Sequence, residues 1–470
     1  MKKLRELLFP IRSGEWTQVI LMFLITCLIN INYTVLRSAR NAVVVVDKEG
    51  SANLIPWFEL FGTLPAAILM TWGLTKLLKR YSIASVFYTT TIAFLSFFLL
   101  YCFVIHPFHF FETTPYLKHI PSLLFFVVSE LWKVILLSVL FWGFLNRHLL
   151  LDEAKRFYPP LMLGGSIGAV LAGPITTFCT SRNVWSFFPL SSDHWHHVLI
   201  AMTLNLAVVS LASLFLFSKL EKCFAGRGPI EKTEQGAPLS LASAWSYFRN
   251  SPQLWYLGAT VWAEYMAYCL GELFFLDKLK AFYPLPADYF NYMGQLNLWC
   301  GVLTALGSII IAPTILQRSR WVVTALVTPL CALVTGFGFF GTLCFSFSFG
   351  GFSSLEILVF FGSLHYCLCR SAKYAFSDPS KEIAFMDLSA EAQVKGKLII
   401  DGIGSRFGRG ASSFLSIGLI TICGSLAKSC WPASLLALFF TFVWVRASQK
   451  VGEGITFNQK EEKRPFDVVA

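Results

Sequence analysis

Charged residues are scarce in this sequence: 14% of its 470 residues are Asp, Glu, Lys or Arg, whereas 55% are hydrophobic. A soluble protein with that balance would expose large apolar patches and aggregate, which excludes a soluble globular class. The sequence also lacks a nucleotide-hydrolysis loop, since "GKLIIDGIGSR" does not follow the order G-x-x-x-x-G-K-[ST]. It shows no coherent nucleophile–base set, and its cysteines have no metal-type spacing. These absences predict a protein that is not an enzyme and that binds no metal or cofactor.

Long apolar runs make up most of the chain. A hydrocarbon core of about 30 Å is crossed by about 20 apolar residues in a helix. Twelve runs meet that length, so the predicted fold is all-α and polytopic in a membrane. The predicted spans are residues 15–36, 52–75, 84–106, 122–146, 157–179, 197–218, 252–275, 292–315, 322–345, 353–371, 398–425 and 430–446.

Basic residues lie mainly in every second connection between the predicted spans. With the N-terminus inside, 27 of the 38 Lys and Arg residues fall on the inner side and eight on the outer side. This asymmetry is the positive-inside pattern of membrane proteins. It accounts for the net charge of +11 without nucleic acid as a partner. We expect a multi-pass protein of a cell inner membrane with both termini in the cytoplasm.

One polar connection, rich in Gly, Pro and charge, divides the spans six and six. The pair Gly164/Gly168 in the first half recurs as Gly404/Gly408 in the second, in stretches that otherwise resemble each other ("DEAKRFYPPLMLGGSIG" and "SAEAQVKGKLIIDGIGSRFG"). This repetition indicates a duplication, so that two six-helix halves form a major-facilitator-like transporter. The predicted segments are an N-terminal half, a cytoplasmic linker, a C-terminal half and a cytoplasmic tail, at residues 1–218, 219–251, 252–446 and 447–470.

Several charged residues lie within the predicted spans or at their ends. A charge at the bilayer centre costs at least about 2.5–3.5 kcal/mol, so such residues mark a cavity or pair with each other. Guanidinium groups bind phosphate oxygens in a fork, which favours a polyphosphate ligand. The predicted substrate-binding residues are Arg37, Arg40, Glu130, Lys133, Glu272, Asp401, Arg406 and Arg409.

Two long stretches carry a resemblance to a known family. They are "SELWKVILLSVLFWGFLN" at residues 129–146 and "KYAFSDPSKEIAFMDLSAEAQVKGKLIIDGIGSRFGRG" at residues 373–410. Both resemble the ATP/ADP translocases of intracellular bacteria and plastids, and the likeness extends over nearly the whole chain. The resemblance implies a nucleotide carrier that works by alternating access. It also implies transport roles for the matching positions, which are Arg40, Glu130, Glu272 and Arg409.

The first-span motif departs from that family. "LRDTKD" in the family reads "LRSARN" here, so that Ser38 and Asn41 replace two Asp residues and Arg40 replaces Lys. The loss of two carboxylates makes the site more positive. ATP/ADP exchange remains the leading hypothesis. The alternatives are a proton-coupled importer of other or several nucleotides, with Glu264, Glu272 or Asp401 binding the proton, and NAD/ADP exchange.

Overall fold

The computed structural model describes residues 11–107, 117–181, 193–225, 241–311, 321–346, 348–386, 388, 392, 396–397, 399–400 and 404–462. Within these ranges the backbone is almost entirely helical. Nine of the described helices are long and apolar enough to cross a membrane. Three more lie at the seventh, eighth and eleventh predicted spans. The predicted all-α membrane fold is therefore confirmed.

The helices are numbered by the predicted spans at which they lie, and a short linker helix, Leu241–Asn250, precedes α7. Their bounds are α1 Trp16–Val45, α2 Leu54–Arg80, α3 Ile83–Ile105, α4 Ile120–His148, α5 Leu151–Thr180, α6 His194–Phe224, α7 Pro252–Phe282, α8 Pro286–Leu306, α9 Trp321–Cys344, α10 Ser354–Met386, α11 Ser405–Cys423 and α12 Cys430–Glu462.

Several helices extend beyond their predicted ends, most of all α1, α10 and α12. The first span was predicted to end at residue 36, but α1 continues to Val45. The tenth was predicted to end at residue 371, but α10 continues to Met386. The twelfth span was predicted to end at residue 446, but α12 continues to Glu462. Arg37 and Arg40 therefore lie inside α1, and Lys373 and Lys381 lie inside α10 beyond the predicted end of that span.

Both α4 and α10 contain a π-helical stretch, in which the backbone hydrogen bonds skip one residue more than in an α-helix. The stretches are Lys133–Phe141 and Lys373–Ser377. Each begins at a lysine, and the two lysines are 240 residues apart, which is the spacing that separates the repeated glycine pairs. Such stretches are frequent at functional sites.

The helices form two compact units. The first comprises the described residues of 1–54, 61–233 and 283–302, and the second those of 55–60, 234–282 and 303–470. A short part of α2 thus belongs to the second unit, and most of α8 belongs to the first. The division into halves, linker and tail at residues 218, 252 and 446 stays a prediction.

In the first unit, α1 packs against α4, α5 and α6. Gly168 of α5 permits close contact with α1, because a Cβ atom there would lie 2.7 Å from the carbonyl oxygen of Cys27. Two side chains add hydrogen bonds to this packing. Trp132 of α4 donates to the carbonyl of Ile29 at 3.3 Å, and Asn32 of α1 donates to Ser210 Oγ at 3.1 Å.

The second unit repeats this arrangement, since α7 packs against α10, α11 and α12. Gly404 and Gly408 of α11 face α7, where their closest side chains are Trp262 and Tyr265. The fifth helix of each half thus approaches the first helix of that half through a repeated glycine pair. This is the role in close packing that small residues at i and i+4 serve in membrane helices.

Candidate substrate-binding residues

The buried centre of α1 carries two arginines, Arg37 and Arg40, which are 5% and 6% exposed. Arg40 forms an ion pair with Glu130 of α4, which is also buried. The guanidinium carbon of Arg40 lies 4.6 Å from the ring centroid of Phe126. Because an uncompensated charge at this depth is costly, Glu130 serves as the counter-ion of Arg40.

Lys133 lies one helical turn after Glu130, where the π-helical stretch of α4 begins. Its Nζ atom is 4.9 Å from the ring centroid of Tyr33, which belongs to α1. The negative face of an aromatic ring attracts a cation at this distance. The residues named in this cluster therefore include three cations and one carboxylate, so the cluster is well suited to an anion.

The two neutral positions of the first-span motif, Ser38 and Asn41, are also buried in α1. Asn297 of α8 donates a hydrogen bond from Nδ2 to Ser38 Oγ at 3.0 Å. The hydroxyl of Ser38 donates in turn to the carbonyl of Thr34 at 3.1 Å. Ser38 thus takes part in neutral hydrogen bonds and adds no negative charge beside the arginines of α1.

A second cluster lies in the second unit, where Glu264 of α7 forms an ion pair with Lys373 of α10. The hydroxyl of Ser377 donates a hydrogen bond to Glu264 Oε2 at 2.9 Å. Asp378 Oδ1 lies 3.6 Å from Lys373 Nζ and gives it a second acidic neighbour. A buried carboxylate on the first helix of the half is thus held by two residues of the fourth.

Tyr265, next to Glu264, has two cations near its ring. Lys373 Nζ lies 5.1 Å from its ring centroid, and the guanidinium carbon of Arg409 lies 5.8 Å from it. Arg409 Nη1 is 3.6 Å from Glu59 Oε1. Glu272 lies on the same helix as Glu264, about two turns further along α7.

A small cavity of about 20 Å³ adjoins this second cluster. Glu264 and Lys373 line it together with His365, Phe340 and Trp444. A volume of this size accommodates one water molecule. The ion pair therefore forms one wall of a cavity large enough for a water molecule.

The predicted binding residues divide between the units. Arg37, Arg40, Glu130 and Lys133 lie in the first, and Glu272, Arg406 and Arg409 lie in the second. Arg406 is half-buried in the first turn of α11, three residues before Arg409. Asp401 lies outside the described residues. The assignment of these eight residues to substrate binding stays a prediction.

Sequence reasoning missed the second ion pair. Lys373 follows the predicted end of the tenth span at residue 371, and Glu59 of the second span is not among the predicted binding residues. The one signal in the sequence that points to Lys373 is its separation of 240 residues from Lys133. Glu264 was recognised as an intramembrane carboxylate, but its partner was not.

Comparison with known sequences places this arrangement among transport proteins. The sequence profile described as "TLC ATP/ADP transporter" matches residues 1–122 and 110–454. ADP,ATP carrier protein 1 of Chlamydia pneumoniae is 30% identical over 484 residues, which cover 96% of this chain and 94% of that protein. ADP,ATP carrier protein 3 of Rickettsia prowazekii is 27% identical, with 94% and 95% covered. The chloroplastic ADP,ATP carrier protein 2 of Arabidopsis thaliana is 28% identical, with 92% and 74% covered.

Solved structures share the fold at low sequence identity. A bacterial homologue of the iron transporter ferroportin, in an inward-facing state, matches with a TM-score of 0.59 at 13% identity, with 93% of this chain and 100% of that chain covered. A bacterial homologue of the lysosomal transporter Spinster gives 0.57 at 13%, with 95% and 99% covered. The nucleoside transporter NupG gives 0.54 at 15%, with 94% and 99% covered. The predicted transporter fold is thereby confirmed.

Proposed function

We propose that this chain, which belongs to the TLC ATP/ADP transporter family, exchanges ATP for ADP across a membrane by alternating access. The observation that carries the proposal is the buried pairing of Arg40 with Glu130 inside an otherwise apolar bundle. Relatives that align over nearly the whole chain are ADP,ATP carriers. The same pattern of helix packing in both units supports a carrier built from two similar halves.

The chemistry of the first cluster suits the phosphates of a nucleotide. An arginine fork makes two parallel hydrogen bonds to phosphate oxygens, and these charge-assisted bonds are stronger than neutral ones. In the empty carrier the carboxylate of Glu130 occupies Arg40. Phosphate oxygens would take over that role when a nucleotide binds, while Lys133 adds a point charge.

The charge balance of the first cluster favours exchange over one-way transport. Arg37, Arg40 and Lys133 outnumber the single carboxylate of Glu130 in this group. Holding several buried positive charges close together without a bound anion is unfavourable, because like charges repel each other strongly away from water. A bound nucleotide neutralises the cluster, so we expect the loaded carrier to change its orientation more readily than the empty one.

The orientation in the membrane follows from the basic residues. Their bias toward alternate connections supports an inner-membrane protein with both termini in the cytoplasm. We propose this location together with the exchange activity.

The exchange activity can be tested with purified carrier in proteoliposomes. Labelled ATP is offered outside vesicles that are empty or preloaded with ADP, and GTP, CTP, UTP and NAD are tested as competitors. We expect uptake that depends on preloading and is blocked by adenine nucleotides. Arg40→Ala should reduce this uptake at least tenfold, because a charge-assisted bond to phosphate is lost. Lys76→Ala is the control, since Lys76 is exposed and lies on the Trp72 ring of α2.

Proton-coupled uptake is a second candidate, which the buried carboxylate of Glu264 favours. A carboxylate at such a site can bind and release a proton as its surroundings change. If uptake into empty vesicles rises with an inward proton gradient, the carrier works by proton-coupled uptake and not by exchange. Preloading with ADP would then have no effect on the rate.

A further inference from the structure

We infer that Lys373 is a second phosphate-binding residue of the carrier, and that the carboxylate of Glu264 occupies its ammonium group until the polyphosphate tail of a nucleotide displaces it. This inference rests on the proposed nucleotide transport. It assigns Glu264 the role of a tethered anion that competes with the substrate.

The exposure of the two partners supports a displaceable pair. The side chain of Lys373 is 24% exposed, whereas that of Glu264 is 8% exposed. The ammonium group is thus the more accessible member of the pair, and the carboxylate is the more deeply buried one. The pair also borders a water-sized cavity on the side of His365 and Trp444.

The internal duplication supports the same role. Lys133 and Lys373 stand 240 residues apart, and each begins a π-helical stretch in the fourth helix of its half. Each ammonium group lies near a tyrosine of the first helix, at 4.9 Å from Tyr33 and 5.1 Å from Tyr265. Each half therefore contains the same arrangement, in which a lysine at the start of a π-helical stretch lies against the ring of a tyrosine.

If phosphate displaced the Glu264 carboxylate from Lys373, the carboxylate would still have a hydrogen-bond partner. Ser377 donates a hydrogen bond to its Oε2 atom, and that contact does not depend on Lys373. Lys373 also has a weaker acidic neighbour in Asp378, at 3.6 Å. The carboxylate can thus give up the ammonium group without becoming a buried charge that lacks a hydrogen bond.

The ligand class follows from the ammonium group. Lysine acts as a point charge with three rotatable donors and binds a chain of phosphates without the fixed geometry of a guanidinium fork. A nucleotide tail and free polyphosphate share this chemistry. A competition experiment separates the nucleotide tail from free polyphosphate as the ligand. If the site takes the phosphates of a nucleotide, ATP should displace bound tripolyphosphate, whereas adenosine, which has no phosphate, should not.

The decisive experiment titrates tripolyphosphate into the purified full-length carrier by calorimetry. Glu264→Gln should tighten binding about tenfold, because the internal competitor loses its charge while keeping its shape. Lys373→Met should weaken binding about tenfold or more, and Lys373→Arg should retain it. The matched controls are Glu382→Gln and Lys397→Met, which break an ion pair of the same unit that is exposed on both sides. Both controls should bind as the wild type does.

A purely structural ion pair gives a different result. Glu264→Gln would then bind tripolyphosphate no more tightly than the wild type, and that outcome overturns the inference. So does a folded Lys373→Met variant with unchanged affinity, where folding is verified by a monodisperse elution profile and a cooperative thermal transition.

Nucleotide exchange measured on the same variants separates this inference from the proposed function. If the wild type exchanges ATP for ADP and Glu264→Gln leaves KM unchanged, only the inference fails. If the tripolyphosphate results hold and the wild type exchanges no nucleotide, only the proposed function fails.

Discussion

At the scale of single residues, Arg40 and Glu130 depend on each other. Each is buried within an apolar bundle, and each neutralises the other. Removing one member of such a pair leaves an unpaired buried charge, which typically costs about 3–5 kcal/mol. Removing both charges avoids that cost but also removes the group that we propose binds phosphate.

This dependence predicts different effects on stability and on transport. Arg40→Met should lower the thermal midpoint by several degrees, because Glu130 keeps a charge that nothing compensates. The double variant Arg40→Met/Glu130→Gln should recover most of that loss without recovering transport. Tryptophan fluorescence during heating measures the midpoint, and ATP uptake measures transport. A double variant as unstable as the single one would contradict the pairing.

The buried charged residues differ in how easily they can be recognised from the sequence. Arg40 and Glu130 stand out because charges interrupt hydrophobic runs. Lys373 does not, since it follows the end of such a run and looks like a loop residue. Tyr33 and Tyr265 are visible as aromatic residues of these spans, but the sequence does not show that Lys133 and Lys373 lie against them, because 16% of the chain is aromatic.

At the scale of elements, the contact between α5 and α1 depends on the absence of a side chain. A Cβ atom at Gly168 would meet the carbonyl oxygen of Cys27 at 2.7 Å and the Cβ of Asn30 at 2.9 Å. The backbone at Cys27 cannot move aside as the end of a flexible side chain can. The helices would have to separate.

Gly168→Ala should therefore destabilise the protein by about 1–3 kcal/mol, the usual cost of overpacking. Gly418→Ala is the control, because nothing lies within 4 Å of a Cβ atom at that position of α11. Alanine there should be neutral or slightly stabilising, since it favours the helix more than glycine does. Thermal unfolding of both variants in one detergent provides the comparison. Equal midpoints for the two would argue against close packing at Gly168.

The existence of the helices was predictable, but several of their ends were not. Hydropathy places all twelve spans, because apolar length is what a bilayer requires. It ends α1 and α10 too early, since it treats every charge as a boundary. Arg37, Arg40 and Lys373 remain inside helices because burial and ion pairing compensate charges that hydropathy scores as if they were alone.

At the scale of the whole molecule, the two units share one plan of packing. The first helix of each half contacts the fourth, fifth and sixth. The repeated glycine pairs indicated this duplication in the sequence. They could not indicate which partner each buried charge would take, because an ion pair depends on side chains that are distant along the chain.

The predicted topology of the whole chain can be checked at Cys223, an exposed cysteine near the end of α6. With both termini in the cytoplasm, this thiol faces the cytoplasm. A membrane-impermeant maleimide should label the peptide that contains Cys223 in inside-out vesicles and should not label it in intact cells, as measured by mass spectrometry. Labelling of intact cells would reverse the orientation.

The repeated π-helical stretch also bears on the ancestry of the chain. We infer that a widened turn with a lysine above a tyrosine, present in both halves, was inherited from a single six-helix ancestor before the gene was duplicated. The ion pairs do not share that symmetry, because Glu264 of the first helix of its half pairs with Lys373, whereas Glu130 of the fourth helix of its half pairs with Arg40. We infer that these acidic residues were acquired after the duplication. Distant relatives with the lysine–tyrosine pair in one half alone would contradict that order of events.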